Sequence, residues 1–159
     1  MRNVMVFGLS VCVGVACLSR AGESKPAEES NSRKAAQEDL KKLQGTWKRI
    51  SMEVEGNEVP TDALTSWTAT YEDDRLTLSS KEGNYRQAIV TLDPSRKPKA
   101  LNTWDADGPF ADQTVPGIYE IDGDTMKVCF ALPGKKRPEE FTTKRGTAFL
   151  YCVYERKMR

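Results

Sequence analysis

The segment Gly117–Leu132, GIYEIDGDTMKVCFAL, constrains the fold more than any other stretch of this chain. Apolar and polar residues alternate on both sides of Asp122-Gly123, a dipeptide that favours the primed turn matching strand twist. It reads as a β-hairpin. The same alternation recurs through TWKRISMEVEG (46–56), SWTATYEDDRLTLSS (66–80), YRQAIVTLD (85–93), KALNTWD (99–105) and AFLYCVYER (148–156). About eight short strands in roughly 120 residues suit a closed up-and-down antiparallel β-barrel, because closure removes the exposed edges that an open sheet must protect. The expected fold is therefore all-β, a small lipocalin-like barrel, with a flattened sandwich as the alternative. In the first strand Ile50, Met52 and Val54 share one face, and Trp47 falls on the opposite parity unless a bulge lies near Lys48.

The ends of the chain read differently. Arg2 followed by the fifteen apolar-rich residues 4–18 fits an export signal and is short for a membrane span. Two cleavage readings compete. VGVAC places Cys17 at a loose lipobox and makes it a diacylated anchor, whereas SRA ending at Ala21 suits ordinary cleavage. Residues 1–21 are thus expected to be a signal peptide. Residues 22–37, polar and of mixed charge, are expected to be a flexible linker fraying into a short helix from Arg33. Residues 38–159 form the expected barrel domain. Location outside the cytoplasm follows, in periplasm, envelope or medium, with the membrane reached only through the signal or a lipid anchor.

Composition narrows the chemistry. The chain has 24 Lys+Arg against 23 Asp+Glu, too even for a dedicated nucleic-acid binder. Loss of Arg2, or of Arg2 and Arg20, leaves 23 or 22 basic residues against 23 acidic ones, so processing does not change this. There is no histidine, which removes Ser-His-Asp and Cys-His catalysis and His-containing metal sites. No coherent catalytic set stands out, and the expectation is a non-enzyme with no cofactor. Asp105, Asp107 and Asp112 give part of a calcium-loop pattern, but Pro116 stands where its closing Glu would be. Glu139-Glu140 and the basic groups 96–99, 135–137 and 144–145 read as surface charge on loops. Cys129 and Cys152 lie on successive strands, nearly opposite if those strands pair, and are a candidate disulfide in an exported protein.

LQGTW at 43–47 is similar to the Gly-x-Trp opening of lipocalins, in which the Trp plugs the barrel base against an arginine just after the last strand; Arg156 stands at that position. The Thr-Asp-Tyr loop motif of that family is absent. DLKKLQGTW, LDPSRKPKAL and GIYEIDGDTMKVCFALPGKKRPEEF, in this order, resemble an uncharacterised family of exported lipocalin-like proteins abundant in planctomycete bacteria. The resemblance implies a fold and export, and no activity. It implies a barrel floor of Leu43, Gly45, Trp47 and Arg156, with Leu40 helping to close that end. Trp67, Tyr71, Tyr119 and Phe130 are candidates to line or fill the barrel. Two functions remain open: a non-enzymatic module binding a small apolar or amphipathic ligand, or an envelope protein-interaction barrel acting through the 132–147 or 105–117 loops. A monomer is the expected state.

Overall fold

A computed structural model describes residues 26–64 and 66–158. The expected signal peptide, both cleavage sites and Cys17 lie outside the described residues. The elements are α1 (Pro26–Leu43), β1 (Gly45–Val54), β2 (Asn57–Glu58), α2 (Thr61–Leu64), β3 (Thr68–Glu72), β4 (Arg75–Ser80), β5 (Gly83–Asp93), β6 (Ala100–Asp105), β7 (Thr114–Asp122), β8 (Thr125–Ala131) and β9 (Phe149–Arg156). Every strand pairs antiparallel with its neighbour, and β9 pairs back onto β1, so β1 and β3–β9 close an eight-stranded barrel. The two-residue β2 is a ribbon folded onto the end of β1. No helix among the described residues is long and apolar enough to cross a membrane.

The helix is longer than the sequence suggests. It starts at Pro26, where a missing N–H costs nothing, and so occupies most of the stretch read as linker. Its Ala, Glu, Lys and Gln residues favour helix, and Glu29 and Arg33 form an i,i+4 pair at 3.8 Å. Tertiary contacts fix its last turns: Leu43 is buried in the barrel core and Leu40 packs against it. Asp39 is buried and receives Lys99 Nζ at 2.6 Å, Lys42 Nζ at 2.9 Å and the Tyr119 hydroxyl at 2.8 Å. Burial alone would push the Asp39 carboxyl up. The hydrogen bonds from Lys99, Lys42 and Tyr119 outweigh that and hold it below its ordinary value.

A register shift between Arg49 and Ser51 resolves the parity of β1. It makes Ile50 the bulged residue, 40% exposed, and brings Trp47, Arg49, Met52 and Val54 into one inward file opposite Arg156, Tyr154, Cys152 and Leu150. The bulge thus lies two residues beyond Lys48, and Ile50 leaves the face it shares with Met52 in an unbroken strand.

Trp47 is completely buried at the closed end. Its Nε1 donates to Leu43 O at 2.7 Å, and the Arg156 guanidinium lies 4.1 Å from its ring centroid. Arg156 also donates to Gln44 O and Lys42 O at 2.8 Å each and to Asp124 Oδ1 at 2.9 Å. These carbonyls belong to the helix end and lack intrahelical partners. Gln44 continues the seam: its amide donates to Leu40 O and Asp73 O, and its Oε1 accepts from Asp73 N at 2.8 Å. Gly45, at φ 102°, turns the chain from helix to strand in a conformation that a side chain would strain.

Cys129 and Cys152 are both free, buried thiols, so the candidate disulfide is not formed. Cys129 sits opposite Tyr151, and Cys152 opposite Val128. A one-residue offset in a strand reverses the face, so Cys152 points into the barrel and Cys129 out of it. Outward Cys129 is nevertheless buried, because the 132–148 connection crosses the outer face above it. That connection is pinned at two places. Arg137 donates to Gly117 O, to Leu101 O at 2.5 Å and to Asn102 Oδ1 at 2.7 Å. Thr143 donates to Glu53 Oε1 through N at 2.7 Å and Oγ1 at 2.6 Å. Desolvation pushes the Cys129 thiol up to about 12 and also raises that of Cys152, so both remain protonated at neutral pH.

Truncating a fully buried Trp removes both packing and its hydrogen bond. Trp47→Ala is expected to lower unfolding stability by about 3–5 kcal/mol in urea titration. Wild-type stability in that variant would show that the closed end does not depend on this ring.

Candidate functional site

The alternation of β5 places Arg86, Ala88, Val90 and Leu92 in one inward file, and that of β6 places Leu101, Thr103 and Asp105 in the facing one. Ala88 pairs with Asp105, so Arg86 lies one diagonal step from that carboxylate. Both side chains are buried, at 7% and 0% exposure. Arg86 Nη2 donates to Asp105 Oδ1 and to Thr103 Oγ1 at 2.5 Å each, and Nε pairs with Asp105 Oδ2. The guanidinium lies 5.8 Å from the Phe130 ring centroid. A second arginine, Arg49, is also buried in the interior. It donates to the Tyr154 hydroxyl through Nη2 at 3.0 Å and Nε at 3.2 Å, and to Met52 Sδ at 3.5 Å. Its guanidinium lies 5.3 Å from the Trp67 centroid and 5.4 Å from that of Tyr154.

Above this polar layer, at the end away from Trp47, the barrel opens into a pocket of about 330 Å³. Buried Arg86, Val115, Phe130 and Ala131 form its deep side. Val54, Phe149 and Leu150 wall it from β1 and β9, and Phe110 reaches in from the connection before β7. Leu132 and Ala148, where the 132–148 connection leaves and rejoins the sheet, form the lip together with exposed Glu55. Gly117 sets the position of the Phe130 ring. A Cβ there would lie 2.7 Å from Phe130 Cδ1 and 2.9 Å from Cys129 O, so any larger residue would displace the ring or the strand.

Of the four aromatics read as lining, Phe130 alone borders the pocket. Tyr71 and Tyr119 are buried in the core and fill the barrel below it; Tyr119 points its hydroxyl to Asp39 at the closed end. Trp67 is half-buried between Arg49 and Tyr85, its ring 5.2 Å from that of Tyr85 and perpendicular to it. Leu43, Gly45, Trp47 and Arg156 come together at the closed end.

The partial calcium pattern is dispersed. Asp105 turns inward to Arg86, Asp107 Oδ1 accepts from Gln87 N at 2.5 Å, and Asp112 N donates to Asp105 O. No group of three or more metal-ligating side chains occurs among the described residues. The basic groups remain interleaved with acids, as in the exposed Lys136–Glu139 pair at 2.6 Å. The sequence reading missed Arg49 and Arg86. Their signal is parity: Arg86 precedes Ala88 by two, and Arg49 follows Trp47 by two.

No protein-family model, curated protein or solved structure matches this chain.

Removing one partner of a buried ion pair leaves a charge without compensation. Asp105→Asn is expected to cost about 3–5 kcal/mol of unfolding stability. The double variant Arg86→Met/Asp105→Leu should recover most of that loss. Urea titrations of the three proteins measure both; an Asp105→Asn protein as stable as wild type would contradict the paired arrangement.

Proposed function

We propose that this chain is a non-enzymatic binding module that holds a small apolar or amphipathic molecule in the pocket at the open end of the barrel. One observation carries the reading: the barrel is filled at one end and open at the other, and the opening is walled mainly by aliphatic and aromatic side chains. Pockets of this size and character suit small-molecule ligands, with apolar walls for affinity and a few polar groups for orientation. We further propose that the module works outside the cytoplasm, delivered by a signal cleaved before Cys17 and tethered through that residue. The resemblance to exported lipocalin-like proteins supports the location outside the cytoplasm.

The protein-interaction reading draws less support. The 132–148 connection is held down at Arg137 and Thr143 against the barrel wall, which leaves it little freedom to mould to a partner.

Native mass spectrometry of the protein purified from its own host tests the ligand reading. A retained small molecule is expected on the wild-type chain and should be lost from Val54→Phe, which fills the pocket from its β1 wall. A folded wild-type protein with no bound mass, or an adduct unaffected by Val54→Phe, would contradict the proposal.

A further inference from the structure

The charges beneath the pocket do not balance. Two guanidiniums, Arg49 and Arg86, are buried inside the barrel against one carboxylate, Asp105. The fourth buried charged residue, Asp39, belongs to the closed end and is matched there by Lys99 and Lys42. Arg49 has no carboxylate partner among the described residues. Among the described residues its guanidinium donates only to the Tyr154 hydroxyl and the Met52 sulfur, and burial raises the Tyr154 hydroxyl far above neutrality, so that partner is uncharged. An unneutralised charge in a low-dielectric interior is costly unless something compensates it. Arg86 also keeps a donor in reserve: Nη2 donates to Asp105 and Thr103 and Nε lies against Asp105 Oδ2 in the ion pair without a hydrogen bond of its own, whereas Nη1 makes no hydrogen bond among the described residues. This same side chain borders the pocket on its deep side.

We propose that the pocket selects an amphipathic monoanion, its carboxylate received at Nη1 of Arg86 and its apolar body lying against Phe130, Val115 and Leu150. The proposal rests on the ligand-binding reading above and adds the chemical class. One negative charge would bring the interior set of Arg49, Arg86 and Asp105 to neutrality. The anion would sit beside the guanidinium, where a charge-assisted hydrogen bond is strongest because water is scarce. Glu55 is the other charged group bordering the pocket. It is exposed at the lip, where water and salt screen it, and so opposes an anion at the deep side only weakly.

Calorimetric titration at neutral pH with decanoate, decan-1-ol and decyltrimethylammonium tests this, because the three share an apolar body and differ in head group. Decanoate is expected to bind about tenfold or more tightly than decan-1-ol, with the ammonium weakest. That preference should vanish in Arg86→Met/Asp105→Leu, checked for native circular dichroism, with decanoate binding no more tightly than decan-1-ol to the same variant. Equal affinity for decanoate and decan-1-ol would overturn the head-group inference and leave the binding reading standing. Preference for the ammonium would overturn it in favour of Glu55. Decanoate preference that persists in the double variant would overturn the assignment to Arg86. Failure of all three to bind would overturn the inference together with the binding reading.

Discussion

The contact between the Arg156 guanidinium and the Trp47 ring holds the closed end of this barrel together. Trp47 opens the first strand and Arg156 ends the last, and the two are directly paired where β9 returns to β1. A cation over an indole face is attracted by the ring quadrupole, more strongly where water is excluded. The remaining donors of Arg156 then satisfy helix-end carbonyls at Lys42 and Gln44 and the Asp124 carboxylate in the β7–β8 turn. One side chain thereby joins the helix, the first strand, the last strand and a turn. The helix is fixed because its last carbonyls are fixed, and with it Leu43 and Asp39.

Closing one end in this way shapes the other. Trp47, Tyr71, Tyr119 and Met126 belong to one continuous buried core in the lower barrel. The bulge at Ile50 keeps Met52 and Val54 in the inward file despite the odd spacing, and this puts an apolar wall at the open end. Between core and opening lies a layer of buried polar groups that a purely structural plug would not require: Arg86, Asp105, Thr103 and Arg49. A buried ion pair is weak evidence for stability, since well-packed apolar residues usually serve as well. Its position at the deep side of an apolar pocket is the feature that gives the barrel chemical character.

Much of the architecture was legible from period-two patterning. The eight strands, the turn after Glu72 and the closed barrel all follow from alternating apolar residues separated by turn formers. The longest helix was underestimated because residues 26–38 carry no apolar stripe; it is helix propensity and the docking of Leu40, Leu43 and Asp39 that make it continuous. The cysteine pair failed on a single register step, which no sequence pattern determines when both faces of β8 are buried, one by the barrel and the other by the 132–148 connection. For the site, alternation alone was sufficient to put Arg86 in the file of Ala88 and Val90, but an arginine in an apolar file is easily taken for a strand-end residue. The Asp105 partner lies nineteen residues away and emerges only with the β5–β6 register.

A double-mutant cycle across the floor tests the central contact most directly. Urea unfolding of Trp47→Leu, Arg156→Met and the double variant isolates their mutual interaction from the individual costs. A coupling of about 1 kcal/mol is expected for a cation–π pair whose indole is buried and whose arginine side chain is 29% exposed. Additive losses, with coupling near zero, would show that Trp47 and Arg156 stabilise the barrel independently and that their stacking does not hold the closed end.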